Sequence, residues 1–220
     1  MAELWLIRHG QAGALMGDYD QLSPLGWDQA RRAGEGWRHL GPVHRVFTGQ
    51  MRRHRETAEG FFQGFGPLPA PVGLAGFDEF DHQAVIRSAL AAGLRPPEGG
   101  PGAAFPSFFL GAMGRWASGA HPDEVPEPFA AFRARVEGAL DEAAASLGKG
   151  ERGLVFTSGG VISLLVRRLL DLPLERAFEL NLSLENTGFT RVRVGGGRLS
   201  LTVLNATPHL DPRPELRTLA

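Results

Sequence analysis

Arg8-His9-Gly10 follows a short apolar run, Leu4-Trp5-Leu6-Ile7, so a histidine stands where a buried strand would end. Open α/β sheets bind their ligands at the carboxyl ends of strands. An imidazole placed there can attack phosphorus, and an arginine beside it can hold the phosphoryl oxygens. Three further segments carry chemistry of the same kind. Thr48-Gly49-Gln50-Met51-Arg52-Arg53-His54-Arg55-Glu56-Thr57-Ala58 follows a strand pattern and opens a helix. Its free N–H groups favour a bound anion, and Arg53 adds a bidentate guanidinium. Alone it reads as a solvated basic face; its place at a second strand end favours phosphate. In Phe77-Asp78-Glu79-Phe80-Asp81-His82 a carboxyl lies among phenylalanines. Partial desolvation would raise its pKa and keep a proton for a leaving alcohol, although the same residues also fit an acidic surface loop. Phe156-Thr157-Ser158-Gly159-Gly160-Val161 repeats the strand-end-to-helix pattern, with glycines that let a ligand approach the backbone.

These positions require strands alternating with helices. Residues 3–7, 43–47, 72–74 and 153–157 read as strands, and 187–194 with 199–203 as a hairpin. Ser23 can cap a helix that begins at Pro24 and ends near Leu40, before Gly41-Pro42. A short helix covers 52–62, and a buried one covers 161–170. Phe129, Phe132, Val136, Leu140, Ala143 and Leu147 repeat at helical spacing. From Ala84 to Pro126 the alternation fails, and helical pieces are broken by Gly and Pro. The expected fold is a three-layer α/β/α sandwich with a mainly parallel central sheet. It forms a single domain over 1–220, with a helical and loop cap inserted near 84–126.

Composition narrows the function classes. The chain has 220 residues, 43% hydrophobic and 9% aromatic, enough for a core. Its net charge of -1 offers no global field for nucleic acid. The absence of cysteine excludes disulfides, thiolate zinc sites and a cysteine nucleophile, and fits a reducing, cytoplasmic setting. Neither a signal peptide nor a membrane span is expected. No metal or cofactor is expected either: the spacing of Asp18, Asp20 and Asp28 lacks the dense oxygen pattern of a calcium loop.

Taken in order, these motifs resemble the histidine phosphatase superfamily, also called the phosphoglycerate mutase-like family. Leu6-Ile7-Arg8-His9-Gly10-Gln11 matches its leading motif, and Leu22-Ser23-Pro24-Leu25-Gly26 with Gln29-Ala30 the helix that follows. Arg53 with Glu56-Thr57-Ala58 matches the second-arginine segment, although Gly49-Gln50-Met51 replaces the more usual Ser-Pro-Leu. Glu79 matches the acid motif, and Asn205-Ala206-Thr207-Pro208-His209-Leu210 a tail common in bacterial members. The resemblance implies a phosphohistidine on His9 and a proton donor in Glu79. It implies phosphate binding by Arg8, Arg53, Ser158 and Gly159, with Gln11 as a further candidate. His9 attacks through one nitrogen, so the other should donate to a carbonyl or carboxylate.

Ser158 stands where the family has its second histidine. A lost charge-assisted contact costs about 1.5–3 kcal/mol, roughly 10- to 150-fold in rate. His82, three residues after Glu79, is the first candidate to replace that imidazole. His54 is the second, because side chains adjacent on a helix diverge. His39, His44 and His121 read as surface residues, and His209 as packing for the tail. The expected function is hydrolysis of a small phosphomonoester. The alternatives are a phosphoglycerate mutase and a weakly catalytic phosphate-binding member. The insert offers only Arg87, Arg95 and Arg115 as strong cations, few for a mutase's diacid substrate. Its Phe105, Phe108, Phe109, Leu110, Met113 and Trp116 could line a leaving-group pocket, form the cap's own core or join two copies of the chain.

Overall fold

The computed structural model describes residues 1–13, 20–96 and 105–219. Asp18 and residues 97–104 of the expected insert lie outside the described residues. Six strands form one sheet in the order β3-β2-β4-β1-β5-β6. They are β1 (Ala2–Arg8), β2 (Arg45–Thr48), β3 (Val72–Gly73), β4 (Arg152–Thr157), β5 (Phe189–Gly195) and β6 (Arg198–Ala206). β1, β2, β3 and β4 run parallel, while β5 and β6 join antiparallel at one side.

The continuous apolar run of β1 reflects burial on both faces. Leu4 and Leu6 join Val155 in one core, while Trp5 and Ile7 join Leu154 and Phe156 in the other. This period of two gives each face its own hydrophobic layer. The second face is covered by α1 (Pro24–Trp37) and α2 (Arg52–Phe65), through Ala33, Ala58 and Phe61. Ser23 accepts from Gly26 N at 3.0 Å, and Pro24 takes the first helical position, as the sequence signals.

The first face carries α3 (His82–Ala91), α4 (Phe105–Ala117), α5 (Phe129–Ala145), α6 (Gly159–Leu170) and α7 (Leu174–Ser183). The result is the mixed α/β sandwich expected from the sequence. α7 was not anticipated. It follows Pro173 and packs on α6, with Leu174, Phe178 and Leu182 against the core. Within the expected insert, Phe108, Phe109, Met113 and Trp116 of α4 are buried, so most of the aromatic cluster serves the core of this face. Among the described residues, no helix is long and apolar enough to cross a membrane.

Candidate active site

The strand register assembles the site. Arg8 pairs with Thr157, and Thr48 with Phe156, so β1, β2 and β4 end side by side. His9, Gly49 and Ser158 are therefore the first residues beyond three adjacent strand ends. His9 N donates to Thr157 O at 2.8 Å, and Gly49 N to Phe156 O at 3.0 Å.

His9 Nδ1 lies 2.8 Å from the carbonyl oxygen of Gly10. With the Nδ1 proton on that carbonyl, Nε2 keeps the ring's lone pair. Burial lowers the imidazole well below the ordinary histidine range, and Arg53, Arg8 and His54 push it the same way. His9 is thus held neutral, the form a nucleophile needs. Asn186 Nδ2 donates to His9 O at 2.9 Å, and Thr187 N to Arg8 O at 3.1 Å. Gly10 N donates to Thr57 Oγ1 at 3.0 Å, and that hydroxyl donates to Arg53 O at 2.6 Å. Thr57 thereby ties the turn after β1 to α2. Glycine is needed at position 10 for close contact, because a Cβ there would lie 2.5 Å from Gly26 O.

A cavity of about 250 Å³ is lined by Arg8, His9, Arg53, Glu79 and His82, with apolar side chains from α3, α4 and the carboxyl-terminal segment. Arg8 Nη1 also donates to Leu184 O, and Arg53 Nη1 to Asp20 Oδ1 at 2.9 Å. Glu79 Oε2 accepts from Gly160 N at 2.9 Å. Burial raises the Glu79 carboxyl above its ordinary range, against the opposing pull of that N–H, Arg53, Phe80 N–H and Arg8. The Gly159-Gly160 pair is explained by approach: a Cβ on Gly159 would meet Asn181 Oδ1 at 2.4 Å, and one on Gly160 would meet Glu79 Oε1 at 2.3 Å.

Four expectations change. The N–H groups opening α2 are already engaged. Asp78 Oδ1 accepts from Gln50 N and Met51 N, and Asp20 from Arg52 N and Arg53 N, so two carboxylates occupy that anion site. Gln11 is absent from the cavity lining; its Oε1 accepts from Ser23 Oγ at 2.8 Å and braces the start of α1. Ser158 and Gly159 are absent from the cavity lining, and Ser158 is fully buried. His54, ranked second as a substitute imidazole, touches Ser158 directly, with Nε2 2.7 Å from Oγ. Arg53 and His54 do diverge on α2, but that divergence sends Arg53 to the cavity and His54 toward β4. His82 lines the cavity with His9, and burial lowers its pKa below the ordinary range.

Sequence reasoning also passed over Asn181 and Asn186, since α7 and the loop after it carried no recognised signal. His209 packs edge-on against Phe189, with ring centroids 5.7 Å apart. Among the described residues, no group of three or more His, Asp or Glu is placed to hold a metal ion.

The model of the histidine phosphatase superfamily, branch 1, matches residues 4–85 and 102–207. The chain belongs to the histidine phosphatase superfamily. No curated protein matches its sequence. Solved structures share its fold at low identity. YhfR of Bacillus stearothermophilus is 20% identical, with 96% of this chain and 100% of that chain covered and a TM-score of 0.67. A mycobacterial glucosyl-3-phosphoglycerate phosphatase is 23% identical, with 93% and 99% covered and a TM-score of 0.60. A phosphoserine phosphatase from Entamoeba histolytica, solved as a mutant with phosphoserine, is 19% identical, with 96% and 100% covered and a TM-score of 0.58.

Proposed function

We propose that this superfamily member is a phosphomonoesterase that works through a phosphohistidine on His9 and prefers small monoesters with an apolar leaving group. The carrying observation is His9 on a cavity shared with two arginines and the buried carboxyl of Glu79, with burial lowering the imidazole's pKa and raising the carboxyl's. Arg8 and Arg53 hold the phosphoryl oxygens and offset the charge that develops during transfer. Nε2 of His9 attacks phosphorus; the N–P bond forms as the ester P–O bond breaks. Glu79 gives its proton to the departing oxygen, which leaves as the alcohol. The resulting carboxylate then takes a proton from water as that water attacks phosphorus. The N–P bond breaks, phosphate departs and the His9 lone pair is restored. These steps call on no cofactor.

The leaving-group preference rests on the rest of the wall. Phe80, Ile86, Phe105, Phe109, Leu182 and Leu219 are apolar, and Asn181 and His82 are the other polar groups. Of the insert's cations, Arg87 lies 3.8 Å from Asp81, Arg115 pairs with Glu124, and neither lines the cavity, nor does Arg95. The segments outside the described residues, 14–19, 97–104 and 220, contain no Lys, Arg or His. A second anionic group on the substrate therefore finds no cation beyond the phosphate clamp, which disfavours the mutase reading.

Benzyl, hexyl and glycerol 3-phosphates and 3-phosphoglycerate all release primary alcohols, so kcat/KM across them compares pockets more than leaving-group reactivity. The first two should exceed the last two by roughly 10- to 150-fold, the effect of burying one large apolar group. Preference for 3-phosphoglycerate, or its conversion to 2-phosphoglycerate faster than hydrolysis, would overturn the assignment. Turnover of none of them, with inorganic phosphate still bound, would favour a phosphate-binding protein instead.

A further inference from the structure

We infer that His54 is a positioning residue of the site, supplying from α2, through the Ser158 hydroxyl, the second imidazole that the family places at position 158. The inference rests on the phosphatase reading and adds a residue to it. His54 and Ser158 are both fully buried, and their Nε2–Oγ contact of 2.7 Å joins residues on neighbouring elements at the ends of β2 and β4. The His54 ring lies 5.9 Å from that of His9, centroid to centroid.

Three departures from the family pattern fit together around this ring. Gly49 stands where serine is usual, and a Cβ there would lie 2.1 Å from His54 Nδ1. The ring can occupy its place only because position 49 has no side chain. Gln50 stands where proline is usual. Its N–H donates to Asp78 Oδ1, a bond proline cannot make. Asp78 is thereby held with Oδ1 3.8 Å from His54 Nδ1, facing that edge of the ring. Ser158, smaller than histidine, leaves room for the imidazole that arrives from the other side.

Asp78 closes off the Nδ1 edge of the ring, so Nε2 is the nitrogen turned to Ser158, and their 2.7 Å hydrogen bond fixes the hydroxyl's rotamer at the strand end that flanks His9. Burial, Arg53 and Arg55 keep His54 itself neutral. The bond is a neutral one between two enclosed groups, and its loss leaves a buried hydroxyl without its partner.

Exchanging the imidazole between the two positions tests this. His54→Leu fills the space without the nitrogen. It should lower kcat/KM for benzyl phosphate by roughly 5- to 150-fold and weaken binding of inorganic phosphate. His54→Gln, whose side-chain amide can still hydrogen-bond the Ser158 hydroxyl, should keep activity within about tenfold of wild type. The double change His54→Ala with Ser158→His should regain most of what His54→Ala alone loses, although melting temperature need not follow. Activity and phosphate affinity in His54→Leu equal to wild type would overturn the inference. So would a folded double variant no better than His54→Ala. If His54→Leu or the double variant fails to fold, a folded His54→Gln with loss greater than a hundredfold overturns it. A wild-type chain with no His9-dependent hydrolysis would instead count against the phosphatase reading, and phosphate affinity would then judge His54 by itself.

Discussion

Replacement of His9 by alanine is expected to lower kcat/KM for every phosphomonoester by roughly 10³- to 10⁶-fold while phosphate binding survives. The two effects separate because the groups are distinct. His9 supplies the lone pair; Arg8 and Arg53, on the same cavity, supply the charge that holds an anion. Removal of the ring also leaves the turn in place, since Asn186 and Thr157 hold the backbone of residue 9 rather than its side chain. Calorimetric titration with inorganic phosphate, alongside single-turnover kinetics, checks both halves. An alanine variant that keeps a tenth or more of the activity would show that another group is the nucleophile.

The second large effect belongs to Glu79 and depends on the leaving group. Glu79→Gln should cost roughly 10²- to 10⁴-fold with benzyl phosphate, whose alkoxide needs a proton. With para-nitrophenyl phosphate the loss should be far smaller, because that phenolate leaves unprotonated. The pH profile carries the same signature. Glu79 acts in its protonated form, and burial raises its carboxyl above the ordinary range. As pH rises through that raised value the proton is lost, so kcat/KM for benzyl phosphate should fall on the alkaline side. That limb should disappear in Glu79→Gln. On the acid side His9 must stay neutral, and burial with two neighbouring arginines keeps it so well below the usual histidine range. Equal losses for both substrates, or an unchanged alkaline limb, would remove Glu79 from the role of acid.

The parts of this site that were legible in the sequence are those governed by local pattern. The apolar run before Arg8 marks a strand buried on both faces, and Ser23-Pro24 marks a helix start; both occur as read. The even spacing from Phe129 to Leu140 marks α5 in the same way. What stayed hidden depends on which strands are neighbours. His54 and Ser158 are 104 residues apart and meet only because β2 lies beside β4. Local helix geometry correctly says that His54 diverges from Arg53, but not what lies on its side. The occupied N-terminus of α2 was illegible for a related reason, since Asp20 and Asp78 reach it from separate segments. α7 escaped notice although Leu174, Ala177, Phe178 and Leu182 keep helical spacing, and it delivers Asn181 and Leu182 to the cavity.

The central claim is the covalent intermediate, and rapid quenching reads it directly. Wild-type protein mixed with a phosphorus-labelled monoester and stopped in alkali within the first turnover should carry label that is stable to base and lost in acid. Peptide mapping should place that label on His9. Labelled protein in wild type and none in His9→Ala is the predicted result. Turnover at full rate with no labelled protein, or label on any residue other than His9, would contradict it.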